Sequence, residues 1–566
     1  MSPRDWPTLS RFVWETRYRD PDASPAETDI AHTWRRVAAA AAACEADAAL
    51  RQREFFDVLS GFRFLPAGRI LAGAGTTRHV TLFSCFVMGI IGDSIEGIFD
   101  ALKEGALTMQ RGGGIGYDFS TLRARGGKAR ATGMTASGPV SFLGLWDSMC
   151  GTMLSTGTRR GAMMATLRCD HPDIAEFIDA KREPGALRNF NLSVLVSDAF
   201  MRAVDDDAPW RLVFPAPPAA AAVEKSVSAR DLWQRLCASA HASAEPGVLF
   251  IDRINAWNNL GYCETISATN PCGEEPLPPY GACNLGSINL AAFVREPFGA
   301  GAALDHAAIA ATARTAVRFL DDIIDISRFP LPQQRAQAHR ARRIGLGITG
   351  LADALAMLGL RYDSEPARLA AARAMQAIRD AAYRASIELA SERGSFPAFL
   401  TEAYLERPFI RALPDDIRAG IGTHGIRNSH LTALAPAGSI SLLAGNISSG
   451  IEPIFQLEGS RRIIGAGGVP QPFVVKDPAW AAWREGHSEA PPPASFVTAR
   501  DVSARDQLAM QAALQPFVDG AISKTVALPD EFPVSGVPDL FRTACRLGLK
   551  GCTIHRAQAR SGVMTE

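Results

Sequence analysis

The chain has 566 residues, 47% hydrophobic and 21% charged, and its 59 Lys and Arg are balanced by 59 Asp and Glu. A zero net charge argues against a basic nucleic-acid surface or a polybasic membrane patch, and no apolar run approaches the ~20 residues of a spanning helix. The N-terminal run to Trp6 lacks an apolar signal core, so a cytoplasmic protein is expected, and ten scattered cysteines without a C-x-x-C leave catalytic or redox thiols rather than a zinc ribbon or a secreted disulfide framework.

Residues 1–62 are expected to form a small helical N-terminal region, with Thr28 or Asp29 capping one helix that runs through the alanine-rich stretch to Ser60. A glycine-rich loop over 64–75 precedes a buried strand at 81–88 that carries Cys85. Ser94 caps a predicted helix to Gln110, which runs into Arg111-Gly112-Gly113-Gly114-Ile115-Gly116. That cluster lacks the strand–turn–helix order of a dinucleotide fingerprint; it fits a tight turn or a backbone that approaches a ligand. Arg123, Arg125, Lys128 and Arg130 fit either a solvated loop or contact with phosphate. Helices are expected over 140–154 and 172–180, and a strand over 191–196. The proline-rich stretches 215–222 and 490–495 read as surface insertions.

The chemistry is placed between Asn270 and Cys283. An amide, a thiol and a carboxylate occupy alternate positions at Asn270, Cys272 and Glu274, and alternate residues of an extended chain share one side. Pro271, Pro276, Pro278 and Pro279 exclude a helix interior and favour extended backbone. One face would then carry a base, a sulfur and an amide donor, with Cys283 after a turn-rich spacer. The same residues also fit a proline-rich loop around a buried structural cysteine. Further on, 304–326 is a predicted helix with Asp321, Asp322 and Asp325 on an exposed face, and no Glu-x-x-His accompanies them for a di-iron site. A helical region is expected to begin at Ile344. The small-residue stretch 434–453 offers backbone N–H groups before a helix start, which suits a phosphate. A helix over 506–525 and a strand over 549–555 follow, and no internal period repeats.

Taken in order, the 111–116 cluster, Asn270-Pro271-Cys272-Gly273-Glu274, the run 281–289, Ser449-Gly450-Ile451-Glu452-Pro453 and the run 521–526 resemble the catalytic subunit of ribonucleotide reductases, most closely the adenosylcobalamin-dependent class II enzymes, over nearly the whole chain. The resemblance implies an α/β fold: a ten-stranded α/β barrel of two five-stranded halves over 63–556, with a central finger loop carrying Cys272. A short tail, 557–566, lacks a cysteine pair. By the same resemblance Cys272 becomes a thiyl radical that abstracts the ribose 3′-hydrogen, Glu274 acts as base on the 3′-hydroxyl, and Asn270 orients the region. Cys85 and Cys283 would be the dithiol that ends as a disulfide. Ser84, Gly114 and the run Pro436, Ala437, Gly438, Ser439 and Ile440 would bind substrate, the run taking its phosphates. The implied cofactor is adenosylcobalamin, held without a histidine-ligand motif, and no protein-bound metal is expected. The implied partners are a ribonucleotide, as the diphosphate, a deoxynucleotide effector acting through loops 126–135 and 181–189, and an external thiol or a second polypeptide carrying the reducing cysteine pair. The chain would act as a monomer or homodimer, away from nucleic acid and membrane.

Some features depart from the pattern. No tyrosine follows Tyr404, so the class I radical relay is missing, and the surroundings of Gly562 do not match a class III glycyl-radical site. The N-terminal region is short for an ATP-cone domain. Ala437 and Ser439 stand where threonines are common, and the run from His555 to Arg560 differs from the family's usual Tyr-Arg-Asp-Gly-Ser-Arg. A class I-like large subunit and a nucleotide-binding relative without turnover remain alternatives at this point.

Overall fold

The computed structural model describes residues 6–128, 133–153, 161–214, 223–464, 470–487 and 490–556. Arg130, the stretch 215–222 and the tail 557–566 lie outside the described residues.

Five strands form one half of a barrel: β1 (Cys85–Val87), β2 (Gly114–Asp118), β3 (Met163–Arg168), β4 (Phe190–Val196) and β5 (Gly247–Phe250). Each pairs in parallel with the next. Near-continuous burial along β3, β4 and β5 suits parallel strands covered on both faces. The second half contains β6 (Ala282–Asn289), β7 (Ile344–Thr349), β8 (Thr525–Leu528) and β9 (Gly551–Arg556). In it, β6 pairs in parallel with β7 and β8 with β9. Segment 431–434 fills the gap between β7 and β8 through the parallel bridges Leu346↔Thr432 and Leu434↔Ile522. The halves meet antiparallel at both seams, β1 on β6 and β5 on β9, and the ring closes. The expected architecture of two five-stranded halves is therefore present. Phe64–Pro66 extends the sheet by pairing with β6 beyond β1.

Several expectations change, among them that of a loop over 64–75, which holds the helix Gly68–Gly73. The region from Ile344 is a fully buried strand before it is a helix. Its glycines allow that: a Cβ at Gly345 would overlap the Glu275 carboxyl, and one at Gly347 the Ala433 carbonyl oxygen. The predicted helix over 506–525 stops early, at Leu514, where Pro516 ends it, and the chain then extends into β8. The single N-terminal helix is two, Ile30–Ala42 and Ala48–Ser60. Asp29 caps the first by accepting from His32 N, and Asp47 caps the second by accepting from Leu50 N. Glu45, in the turn between them, is held by Arg318 at 3.0 Å and by Arg393.

Of the three aspartates expected on an exposed face, Asp325 is exposed, but Asp321 and Asp322 are buried. They lie on the helix His306–Ile326, and Asp321 and Asp322 are 0% exposed. Asp321 accepts from Arg342 Nε at 2.8 Å, Asn428 Nδ2 at 2.9 Å and Arg427 Nε at 3.2 Å, while Asp322 accepts from Arg393 Nη1 at 2.7 Å. Alternation along a helix cannot tell a solvated carboxylate from one matched by arginines that arrive from distant segments. Removing one charge of such a group strands the others. Asp321→Ala is therefore expected to cost ~3–5 kcal/mol in chemical denaturation, and a loss below ~1 kcal/mol would contradict the pairing.

Candidate active site

Cys272 sits at the tip of a hairpin whose short strands, Ala268–Thr269 and Pro276–Leu277, pair antiparallel. The tip is a turn, not an extended run. Gly273 N donates to the Asn270 carbonyl at 3.1 Å, and Gly273 has φ +83°. Asn270 Oδ1 accepts from Gly273 N at 3.1 Å and Glu275 N at 3.0 Å. The expected alternation on one face is thus corrected: Asn270, Cys272 and Glu274 are brought together by a turn that the asparagine side chain itself closes.

Glycines on β2 seat the hairpin. A Cβ at Gly114 would stand 3.1 Å from Pro271 Cγ, and one at Gly116 would overlap the Thr269 carbonyl oxygen. Of the two readings of the glycine cluster, close backbone approach is the one realised at these positions, and what approaches is the finger. Asn191 Nδ2 donates to Pro271 O at 2.8 Å, and Thr166 Oγ1 donates to Ser267 O at 2.9 Å. From the other half, Ala521 N donates to Glu274 O at 2.8 Å. Both halves of the barrel therefore fix the loop.

Cys85 on β1 and Cys283 on β6 are direct partners in the antiparallel seam. Such pairs have Cα atoms about 4.5–5.5 Å apart, within the range a disulfide spans. Asn270 Nδ2 donates to Cys85 Sγ at 3.1 Å, and the Cys85 thiol donates to Glu274 Oε1 at 3.7 Å. Burial, then the Glu274 and Glu275 carboxylates, hold the Cys85 thiol well above its ordinary range. Burial pushes the Glu274 carboxyl up to about 7, and its Oε2 has no hydrogen-bond partner among the described residues. Cys272, in contrast to the other two cysteines, is exposed. It borders a cavity of about 210 Å³ whose walls include Asn191, Ser193, Pro436, Ser523, Gly551 and His555.

The other predicted site residues frame this centre. Ser84 O accepts from Gly114 N at 2.8 Å, next to Cys85. Pro436 and Gly438 are exposed, while Ala437, Ser439 and Ile440 are buried. Ala437 N donates to Ser449 Oγ at 2.8 Å, and Ser439 Oγ accepts from Arg17 Nη1 at 2.7 Å. The helix Gly438–Leu443 starts here, and the amides of its first turn have no carbonyl within the helix to bond. Of the loop cations, Arg123 pairs with Asp93 at 2.9 Å and Arg125 with Glu176 at 2.5 Å. Lys181 is buried on Glu245 at 2.8 Å and on the Phe190 carbonyl. Two buried acids near the finger were missed: Glu275, one position out of the alternation, and Asp519, inside what read as a helix.

Residues 83–555 match the family profile described as ribonucleotide reductase, barrel domain, and residues 7–79 match the ribonucleotide reductase all-alpha domain. The chain belongs to the ribonucleotide reductase family. It is 40% identical, over 97% of its length and 79% of the relative's, to a vitamin B12-dependent ribonucleoside-diphosphate reductase of Mycobacterium tuberculosis. It is 36% identical, over 90% of its length and 65% of the relative's, to a protein of the same name from Thermoplasma acidophilum. A ribonucleoside-diphosphate reductase large subunit of Vaccinia virus is 30% identical over 76% of this chain and 60% of that one.

Gly116→Val places a side chain where the finger backbone lies. It is expected to cost at least ~1–3 kcal/mol by overpacking and to abolish nucleotide reduction; a variant with unchanged melting temperature and activity would contradict the seat.

Proposed function

We propose that the protein reduces ribonucleotides, as the diphosphates, to 2′-deoxyribonucleotides with a cobalamin as radical source. The observation that carries this reading is the pairing of Cys85 with Cys283 across the seam, under a finger that holds Cys272, Glu274 and Asn270. The names of the relatives from Mycobacterium tuberculosis and Thermoplasma acidophilum support the cofactor and the diphosphate.

Cys272 suits such a cofactor in one respect: it is an exposed residue and borders a cavity that neither Cys85 nor Cys283 lines. Asn191, Ser193, Ser523 and His555 are polar side chains there that would face the group. When bound, the adenosyl form supplies a carbon–cobalt bond that breaks homolytically, the origin of the unpaired electron.

The chain's own residues then act in sequence. The Cys272 sulfur, as a thiyl, takes the hydrogen atom from C3′ of the ribose. Glu274 accepts the 3′-hydroxyl proton. Cys85 gives its proton to the 2′-hydroxyl, which leaves as water. Cys85 and Cys283 supply two electrons and join as a disulfide, and the second thiol hydrogen ends on C2′. Cys272 returns its hydrogen atom to C3′, and Glu274 returns its proton to the 3′-oxygen. Asn270 holds Cys85 and the turn in register throughout. The phosphates would lie on the run 436–440, at the amides of 438–440, with Ser84 and Gly114 against the nucleoside, and bound substrate and cofactor would cover the exposed Cys272 and keep water from the radical. A deoxynucleotide effector would act through loops 126–135 and 181–189. An external dithiol, or a second polypeptide carrying one, would restore the thiols.

The test is incubation with adenosylcobalamin, a ribonucleoside diphosphate and dithiothreitol. Deoxynucleotide should form, and Cys272→Ser should abolish it while nucleotide still binds; turnover by that variant would refute the role. Glu274 works as the carboxylate, so kcat should rise with pH through about 7. Glu274→Gln should lower kcat by ~10²–10⁴ and flatten that limb; a retained limb would assign it to another group.

A further inference from the structure

The mechanism uses one of two adjacent finger carboxyls. The other, Glu275, is 3% exposed, and its Oε1 has no hydrogen-bond partner among the described residues. Its backbone is fixed on both sides: N donates to Asn270 Oδ1 at 3.0 Å, and O accepts from Asn270 N at 3.1 Å. The carboxyl lies against the bare backbone of Gly345, where any Cβ would overlap it. Gly345 is the ladder partner of Leu285, two residues along β6 from Cys283. The Cys283 thiol and the Glu275 carboxyl are neighbours there, although the thiol's aligned hydrogen bond runs to the Asn284 carbonyl at 3.4 Å. Each cysteine of the seam thus has its own carboxyl from the finger, Glu274 for Cys85 and Glu275 for Cys283. A buried acid with an unmatched oxygen costs stability, and a role in the chemistry would explain its presence.

We propose that Glu275 is the acid that reprotonates Cys283 when the Cys85–Cys283 disulfide is opened, a role that rests on reading those cysteines as the reducing pair. Cys85, 3% exposed against 0% for Cys283, is the less enclosed residue of the pair. The thiolate of an external dithiol attacks Cys85 Sγ, the protein S–S bond breaks, and Cys283 leaves with the electron pair and takes the proton of Glu275. The second thiol of the reductant then displaces Cys85 from the mixed disulfide, and Glu274 protonates it. The two protons shed by the reductant return through solvent to the carboxyls. Burial, opposed by the Cys283 thiol and Arg343 and reinforced by Glu274 and Asp519, pushes the Glu275 carboxyl up to about 8, so the proton is present at neutral pH.

The test needs no cofactor. Wild-type protein and Glu275→Gln are oxidised with diamide, re-reduced with dithiothreitol, quenched with iodoacetamide at intervals, and mapped by peptide mass spectrometry. Glu275→Gln should release the Cys283 thiol at least ~10-fold more slowly, while alkylation of Cys272 in the reduced protein and the melting temperature stay as in wild type. Release at the wild-type rate would overturn the proposal, as would slowing shared by Cys272 alkylation, which would mark a distorted finger. Absence of a Cys85–Cys283 disulfide in oxidised wild type would overturn both this role and the reading beneath it.

Discussion

The antiparallel contact between β1 and β6 is the constraint on which the site depends. Within either half, neighbouring strands run parallel and are joined through long crossovers. At the seam the direction reverses, and two cysteines almost two hundred positions apart become cross-strand partners. Everything else in the site is arranged around that pair. The glycines of β2 leave room for a finger to lie beside it, and the turn at Asn270 aims an amide and a carboxyl at one of its sulfurs. Burial then does the electrostatic work, keeping both thiols protonated and at least two carboxyls close to their midpoint near neutrality.

A thin place lies two strands along the ring from that seam, next to β7. Segment 431–434 joins β7 and β8 through isolated bridges rather than a long ladder. One carboxylate makes up the difference. Asp519 accepts from Leu431 N at 2.9 Å, Thr432 N at 2.8 Å, Thr432 Oγ1 at 3.0 Å and the Tyr383 hydroxyl at 2.6 Å. Lys550 Nζ closes the arrangement on the carbonyls of Asp519 and Gly520. A short, side-chain-stitched strand ends where the chain must turn outward, at Pro436 and Gly438. The thin place and the proposed phosphate loop are therefore parts of one feature.

Much of this was legible in the sequence, and the limits have physical causes. The cysteines, the finger residues and the barrel came through the order of short motifs, which tolerates ignorance of local geometry. Local geometry was read less well. The prolines around Asn270 to Glu274 favour extended backbone and so predict a pleated run, whereas the asparagine side chain closes a turn. The strand at Ile344 was hidden by glycines that weaken strand propensity but are required where Glu275 and Ala433 press on the backbone. Asp321 and Asp322 looked exposed because their partners, Arg342, Arg393 and Arg427, are distant in sequence. Glu275 was passed over because the alternation that picked out Glu274 assigned it to the opposite face.

The central claim is that one sugar meets two partnered thiols and a third on the finger. The most direct measurement is a single turnover of fully reduced enzyme with adenosylcobalamin and a ribonucleoside diphosphate, with no added reductant, followed by disulfide mapping. The account predicts one Cys85–Cys283 disulfide for each deoxynucleotide formed, with Cys272 still a thiol. Deoxynucleotide formed without that disulfide, or a disulfide that includes Cys272, would contradict it.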